Sequence, residues 1–139
     1  MALAETEMVF RLIGSTLIGL LVGFARRRMP AGMRTFSLIC LGSTIFTLIS
    51  VSDTFLNPDQ GRIIAQIVSG IGFLGLGVIW RQGIGKPSGL TTAAAIWVTA
   101  SVGVLIGLAM WLEAVTASIL IMLVLFSKGP LTKAKIEED

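Results

Sequence analysis

The chain has 139 residues, 54% hydrophobic and 14% charged, with a mean hydropathy of +0.88 and a formal charge of +3. A soluble domain is near a quarter charged, and a fold of this size in water cannot hide so many apolar side chains. The composition therefore excludes a compact soluble enzyme. It makes a membrane, not nucleic acid, the partner of the basic residues.

The inventory removes further chemistries. There is no His and one Cys, Cys40, which excludes His metal sites, Ser-His triads, internal disulfides and Cys-rich metal centres. Cys40 lies in an apolar run and reads as a buried, inert thiol. Glu5 and Glu7 stand where a signal peptide has basic residues, so no cleavable leader is expected.

Five apolar segments follow in order: Val9 to Ala25, Phe36 to Val51, Ile63 to Trp80, Leu90 to Gly107 and Trp111 to Phe126. Each approaches the ~20-residue span of a membrane helix. The last two, read as one helix, would run about 55 Å, too long for one crossing. Gly103, Gly107 and Glu113 mark the expected turn between them. The fold class is all-α, a polytopic bundle of five transmembrane helices. Residues 1–127 form the membrane domain and 128–139 a short cytoplasmic tail.

Orientation follows from the basic residues in the connections. Arg26, Arg27, Arg28 and Arg34 lie in the first connection, Arg81 and Lys86 in the third, and Lys128, Lys133 and Lys135 in the tail. Only Arg11 and Arg62 lie elsewhere. The N-terminus is thus outside and the C-terminus cytoplasmic, as five crossings require. The Arg26–Arg27–Arg28 run reads as a topology anchor.

Small residues let helices approach closely in lipid. Gly19 and Gly23 are four apart on the first segment, and Gly103 and Gly107 on the fourth. The third carries Gly70, Gly72, Gly75 and Gly77. At about 100° per residue, Gly70 and Gly77 share one side, and Gly72 and Gly75 lie roughly opposite. This predicts a central third helix, packed on both faces and touching at least two other helices or another subunit. The string Gly70–Ile71–Gly72–Phe73–Leu74–Gly75 matches a dinucleotide fingerprint, but no strand precedes it and close helix packing explains it. Gly85–Lys86–Pro87 lacks the earlier glycine and the hydroxyl of a phosphate loop. No cofactor is expected.

Three longer strings carry a resemblance. Pro30 to Thr35 enters the second segment, Arg62 to Gly75 opens the third, and Gly89 to Ala100 opens the fourth. Together they resemble the transmembrane domain of the MgtC/SapB family, over about Arg11 to Phe126. The resemblance implies a bacterial inner-membrane protein with five crossings, linked to growth under magnesium limitation and to intracellular survival of pathogens. It also implies restraint of ATP synthase and association with a magnesium-transporting ATPase. Two departures stand out. Many relatives have an acidic–Arg–acidic triplet where this chain has Ala25–Arg26–Arg27, and the founding member's soluble C-terminal domain has no counterpart here.

Arg34, Thr91 and Thr92 are expected at the inner face. The two threonines serve either to cap the fourth helix or, with Arg34, as a polar cluster for a phosphate, a lipid head group or a partner loop. Asp59, Arg62, Gln66 and Ser69 run down one side of the third segment from its outer end, and the Gln66 amide needs a hydrogen-bonding partner. No carboxylate occupies the middle of a span, so a magnesium path lacks ligands.

These residues predict a non-enzymatic regulator that binds transport ATPase or ATP synthase helices laterally. It would also pair with itself through its first or third segment. The alternative is a small transporter or channel, with Asp59, Arg62 and Gln66 along the path.

Overall fold

The computed structural model describes residues 5–27, 29, 31–52, 60–80 and 89–127. They form five helices in chain order: α1 (Glu5–Phe24), α2 (Met33–Ser50), α3 (Gln60–Trp80), α4 (Leu90–Gly107) and α5 (Trp111–Phe126). No strand occurs among the described residues. α1 to α4 are long and apolar enough to cross a membrane, and α5 is a shorter apolar helix. The tail 128–139, Asp53 and Asp59 lie outside the described residues.

The fourth and fifth helices have the expected bounds. The first three begin earlier than their apolar runs. α1 takes in Glu5 and Glu7 in its first turn, where carboxylates favour the positive end of the helix dipole. Hydrophobicity marks where lipid begins, and hydrogen bonding marks where a helix begins; polar ends belong to the second only.

The bundle is built around α2 and α4. Within the chain these are the two most deeply buried helices, whereas α3 is the least buried of the four long ones. The expectation of a central third helix is therefore corrected. α3 does touch two helices, α4 and α2, but from the edge. The reason lies in which glycines meet a backbone. A Cβ on Gly19 would sit 2.6 Å from Ser37 Cα, and one on Gly23 2.5 Å from Met33 Cα. On the other flank of α2, a Cβ on Gly103 would sit 2.8 Å from Ser43 Cβ, and one on Gly107 2.5 Å from Thr47 Cβ. Two glycine pairs at four-residue spacing thus clamp α2 between α1 and α4. Gly70, Gly72 and Gly77 have nothing within 4 Å of an added Cβ, and Gly75 makes only ordinary contact with Ala93, at 3.5 Å.

The contacts also give direction. Cys40 and Ser43 face Gly103 while Thr47 faces Gly107, so α2 and α4 run parallel. α1 runs antiparallel to α2, with Gly19 at Ser37 and Gly23 at Met33. The core holds Val22, Phe36, Cys40, Ile96, Val102 and Ile106, each 1% exposed or less. Cys40 is buried as expected.

The turn into α5 lies at Leu108–Met110, between Gly107 and Glu113 as expected. The Ala109 N–H donates to Ile106 O at 3.0 Å and the Met110 N–H to Leu105 O at 2.9 Å. This pair of bonds closes a helix with a left-handed residue, usually Gly. Here it is Ala109, with φ 62°. An L-residue pays about 1–2 kcal/mol there, partly offset because Gly loses more freedom on folding. Ala109→Gly is therefore expected to raise stability by about 0.5–1 kcal/mol, read as a higher melting temperature in mild detergent; an unchanged or lower one would refute this account.

Candidate functional site

Apolar helices leave few places for chemistry, so each buried polar group is informative. Most are hydroxyls, and most are spent locally. Thr44 Oγ1 donates to Cys40 O at 3.0 Å or across to Gly103 O at 2.8 Å. Thr47 Oγ1 donates to Ser43 O and Thr99 Oγ1 to Ala95 O. Ser37 Oγ donates to Thr16 O at 2.9 Å, tying α2 to α1. These bonds satisfy the hydroxyls without a ligand.

Two arginines differ. Arg11, one turn and a half into α1, is only 3% exposed. Its Nη1 donates to Gly107 O at 2.7 Å, and its Nη2 pairs with Glu7. Gly107 ends α4, so Arg11 supplies a donor and a positive charge where a helix leaves carbonyls unpaired. Its Nε is buried without a partner among the described residues. The charge count only set Arg11 apart from the inner-face basic residues. The signal available in the sequence was Glu7 four residues earlier on the same helical face.

At the opposite end, Arg26 follows α1 in the turn Ala25–Arg27, and its Nη2 donates to Thr92 Oγ1. Partial burial lowers the Arg26 pKa from its usual value. Thr92 is 3% exposed. The threonines do not cap α4: the N-cap is Gly89, at φ 92°, with no side-chain cap bond. The expected grouping is thus redrawn. Arg34 and Thr91 are exposed, and it is Arg26 that reaches Thr92. Arg26 is the arginine that the family triplet retains, so the signal was present in Ala25–Arg26–Arg27. Beside it, Arg27 stacks over the Phe24 ring at 4.2 Å.

On α3, Arg62, Gln66 and Ser69 are all exposed. Gln66 lines an apolar space of 660 Å³ between α2 and α3. Asp59 lies outside the described residues. Glu113 is exposed in the first turn of α5. Among the described residues, no group of three or more His, Cys, Asp or Glu side chains is placed to hold a metal ion.

The chain matches the family model described as the MgtC family over residues 12–134. It is 45% identical over 117 residues to Protein MgtC of Salmonella typhimurium, covering 82% of this chain and 49% of that one. It is 42% identical over 117 residues to Protein MgtC of Brucella abortus, covering 81% and 48%. It is 39% identical over 116 residues to Protein SrpB of Synechococcus elongatus, covering 73% and 64%. The chain spans about half the length of the MgtC relatives it matches. No solved structure matches. The match runs through all five helices and through the Arg26–Thr92 contact, and on it this membrane protein belongs to the MgtC family.

Proposed function

We propose that the chain is a bacterial inner-membrane regulator without catalytic activity, acting by lateral binding to membrane transport proteins. The partners are helices of a magnesium-transporting ATPase or of ATP synthase, and the setting is adaptation to low magnesium or intracellular growth. The observation that carries this reading is the face of α3 turned away from the bundle. Ala65, Ser69 and Gly72 fall within about 60° of one another at 100° per residue, and all three are exposed. Three small residues in a row let a second helix come close enough for backbone packing, the main source of affinity in lipid. The same face suits a second copy of the chain, giving a homodimer or larger homo-oligomer.

Gly72 is the residue to change. An added Cβ meets nothing within 4 Å there, so Gly72→Leu leaves the bundle intact while blocking close approach. Gly75 faces Ala93 of α4, and its replacement would disturb the fold as well. The expected result is that tagged protein purified in mild detergent from low-magnesium cells retains transport subunits or its own copies, identified by mass spectrometry. Gly72→Leu should lose them without a change in melting temperature. Equal recovery with both proteins would defeat the reading. The alternative, a small transporter or channel, is supported instead if purified protein in proteoliposomes carries an ion flux that Gln66→Ala abolishes.

A further inference from the structure

The space between α2 and α3 has dimensions that select its occupant. It is lined by Leu38, Gly42 and Phe46 on one side and by Ile63, Gly70 and Leu74 on the other, with Ile96 of α4 behind. A Cβ added at Gly42 or Gly70 meets nothing within 4 Å, so the slot is open where these two helices would otherwise close on each other. Its α3 wall runs from Ile63 to Val78, about 22 Å at 1.5 Å per residue. A helix about 10 Å across would occupy about 1,800 Å³ over that length, so only one face of it could enter the 660 Å³ present. A hydrocarbon chain of about 16 carbons, each taking roughly the ~30 Å³ of a water molecule, needs about 480 Å³.

Three polar side chains interrupt the apolar lining, Thr35 and Ser43 of α2 and Gln66 of α3, and Gln66 stands near one end. Gln66 is exposed to the slot, with no hydrogen-bond partner among the described residues. An amide at membrane depth must find one. Side chains on a helix lean toward its N-terminus, which carries the Gln66 amide toward the Gln60 end of α3 and the lipid ester level. An ester carbonyl accepts the hydrogen bond that the amide has to give. A helix lying in the slot has spent its own carbonyls internally.

We propose that the slot between α2 and α3 holds one acyl chain of a membrane phospholipid, which enters from the leaflet at the Gln60 end and whose ester carbonyl accepts a hydrogen bond from the Gln66 amide. By the charge count this is the outer leaflet. The chain fills the slot that Gly42 and Gly70 leave open, and so supports α3 without a protein contact. The proposal does not depend on the lateral-binding face, because Gly72 lies outside the slot lining.

The test uses the full chain in phosphatidylcholine nanodiscs carrying a trace of lipid with a photoactivatable diazirine in one acyl chain. Labelled residues are mapped by mass spectrometry. With the diazirine near the ester, label is expected at Ile63 and Phe46; with it near the methyl end, at Leu38 and Leu74. Each should exceed the label on Leu120 and Val124, lipid-facing residues of α5, by about five-fold, equivalent to about 1 kcal/mol of preference over bulk lipid. Gly70→Phe should fill the slot and bring its labelling down to the α5 level, with the melting temperature kept. If that variant does not fold, Gly42→Phe serves the same purpose. Gln66→Leu should reduce the near-ester label selectively. Equal labelling of slot and α5, a reversed order of depth, or crosslinks between two protein copies through the slot would each overturn the proposal.

Discussion

Gly103→Leu is expected to abolish the folded bundle, with no cooperative melting transition and loss of the monodisperse species in mild detergent. A Cβ at Gly103 would overlap Ser43 Cβ at 2.8 Å and also meet the Cys40 carbonyl. Neither neighbour has room to yield. Cys40 O accepts from Thr44 Oγ1, and Ser43 O from Thr47 Oγ1. Moving α4 outward would also break the Thr44 bond to Gly103 O, and would draw Ile96, Val102 and Ile106 out of the core. Even Gly103→Ala should cost about 1–3 kcal/mol, the usual range for overpacking a filled interior. Gly72→Ala, in open space, should be neutral within about 0.5 kcal/mol. Equal melting temperatures for Gly103→Ala and Gly72→Ala would remove the clamp on α2 as the organising contact.

The second large effect is expected at Arg11. Arg11→Ala removes the donor to Gly107 O, leaving a buried helix-terminal carbonyl unpaired at about 1–3 kcal/mol. It also leaves a void where a side chain 3% exposed had been. The total should be about 3 kcal/mol or more, measured as a fall in denaturant midpoint in detergent. Glu7→Gln should cost about 1 kcal/mol or less, because the Glu7 side chain is 45% exposed and solvent weakens the ion pair. The two variants thus separate the carbonyl contact from the salt bridge. A Glu7→Gln loss as large as that of Arg11→Ala would show that the ion pair, not the carbonyl, is what Arg11 contributes.

The MgtC relatives are about twice as long as this chain, so whatever their remaining halves do cannot be assigned to these five helices. What the chain does hold is the glycine-clamped core, the Arg26–Thr92 contact across one face and the Arg11–Gly107 contact toward the other. An arginine near each end of α1 reaches α4.

The residues by themselves determined that the chain is a helical membrane protein, and they determined where all five of its segments end, to within a residue. Apolar run length answers to the thickness of the hydrocarbon layer, a constraint that acts on each helix alone. They also marked Gly19, Gly23, Gly103 and Gly107 as close-contact positions. Which helix stands in the middle was decided only in three dimensions. Gly70, Gly72, Gly75 and Gly77 are as closely spaced as the other glycines, but spacing cannot say whether a neighbour arrives, and here α2 received two glycine pairs while α3 kept most of its own facing outward. The polar partners were likewise a tertiary matter. Arg34 and Arg26 look alike in a list of inner-face cations, and only the approach of α4 to the end of α1 selects Arg26 for Thr92. Buried polar groups must find partners, and which partner is within reach depends on the packing of whole helices.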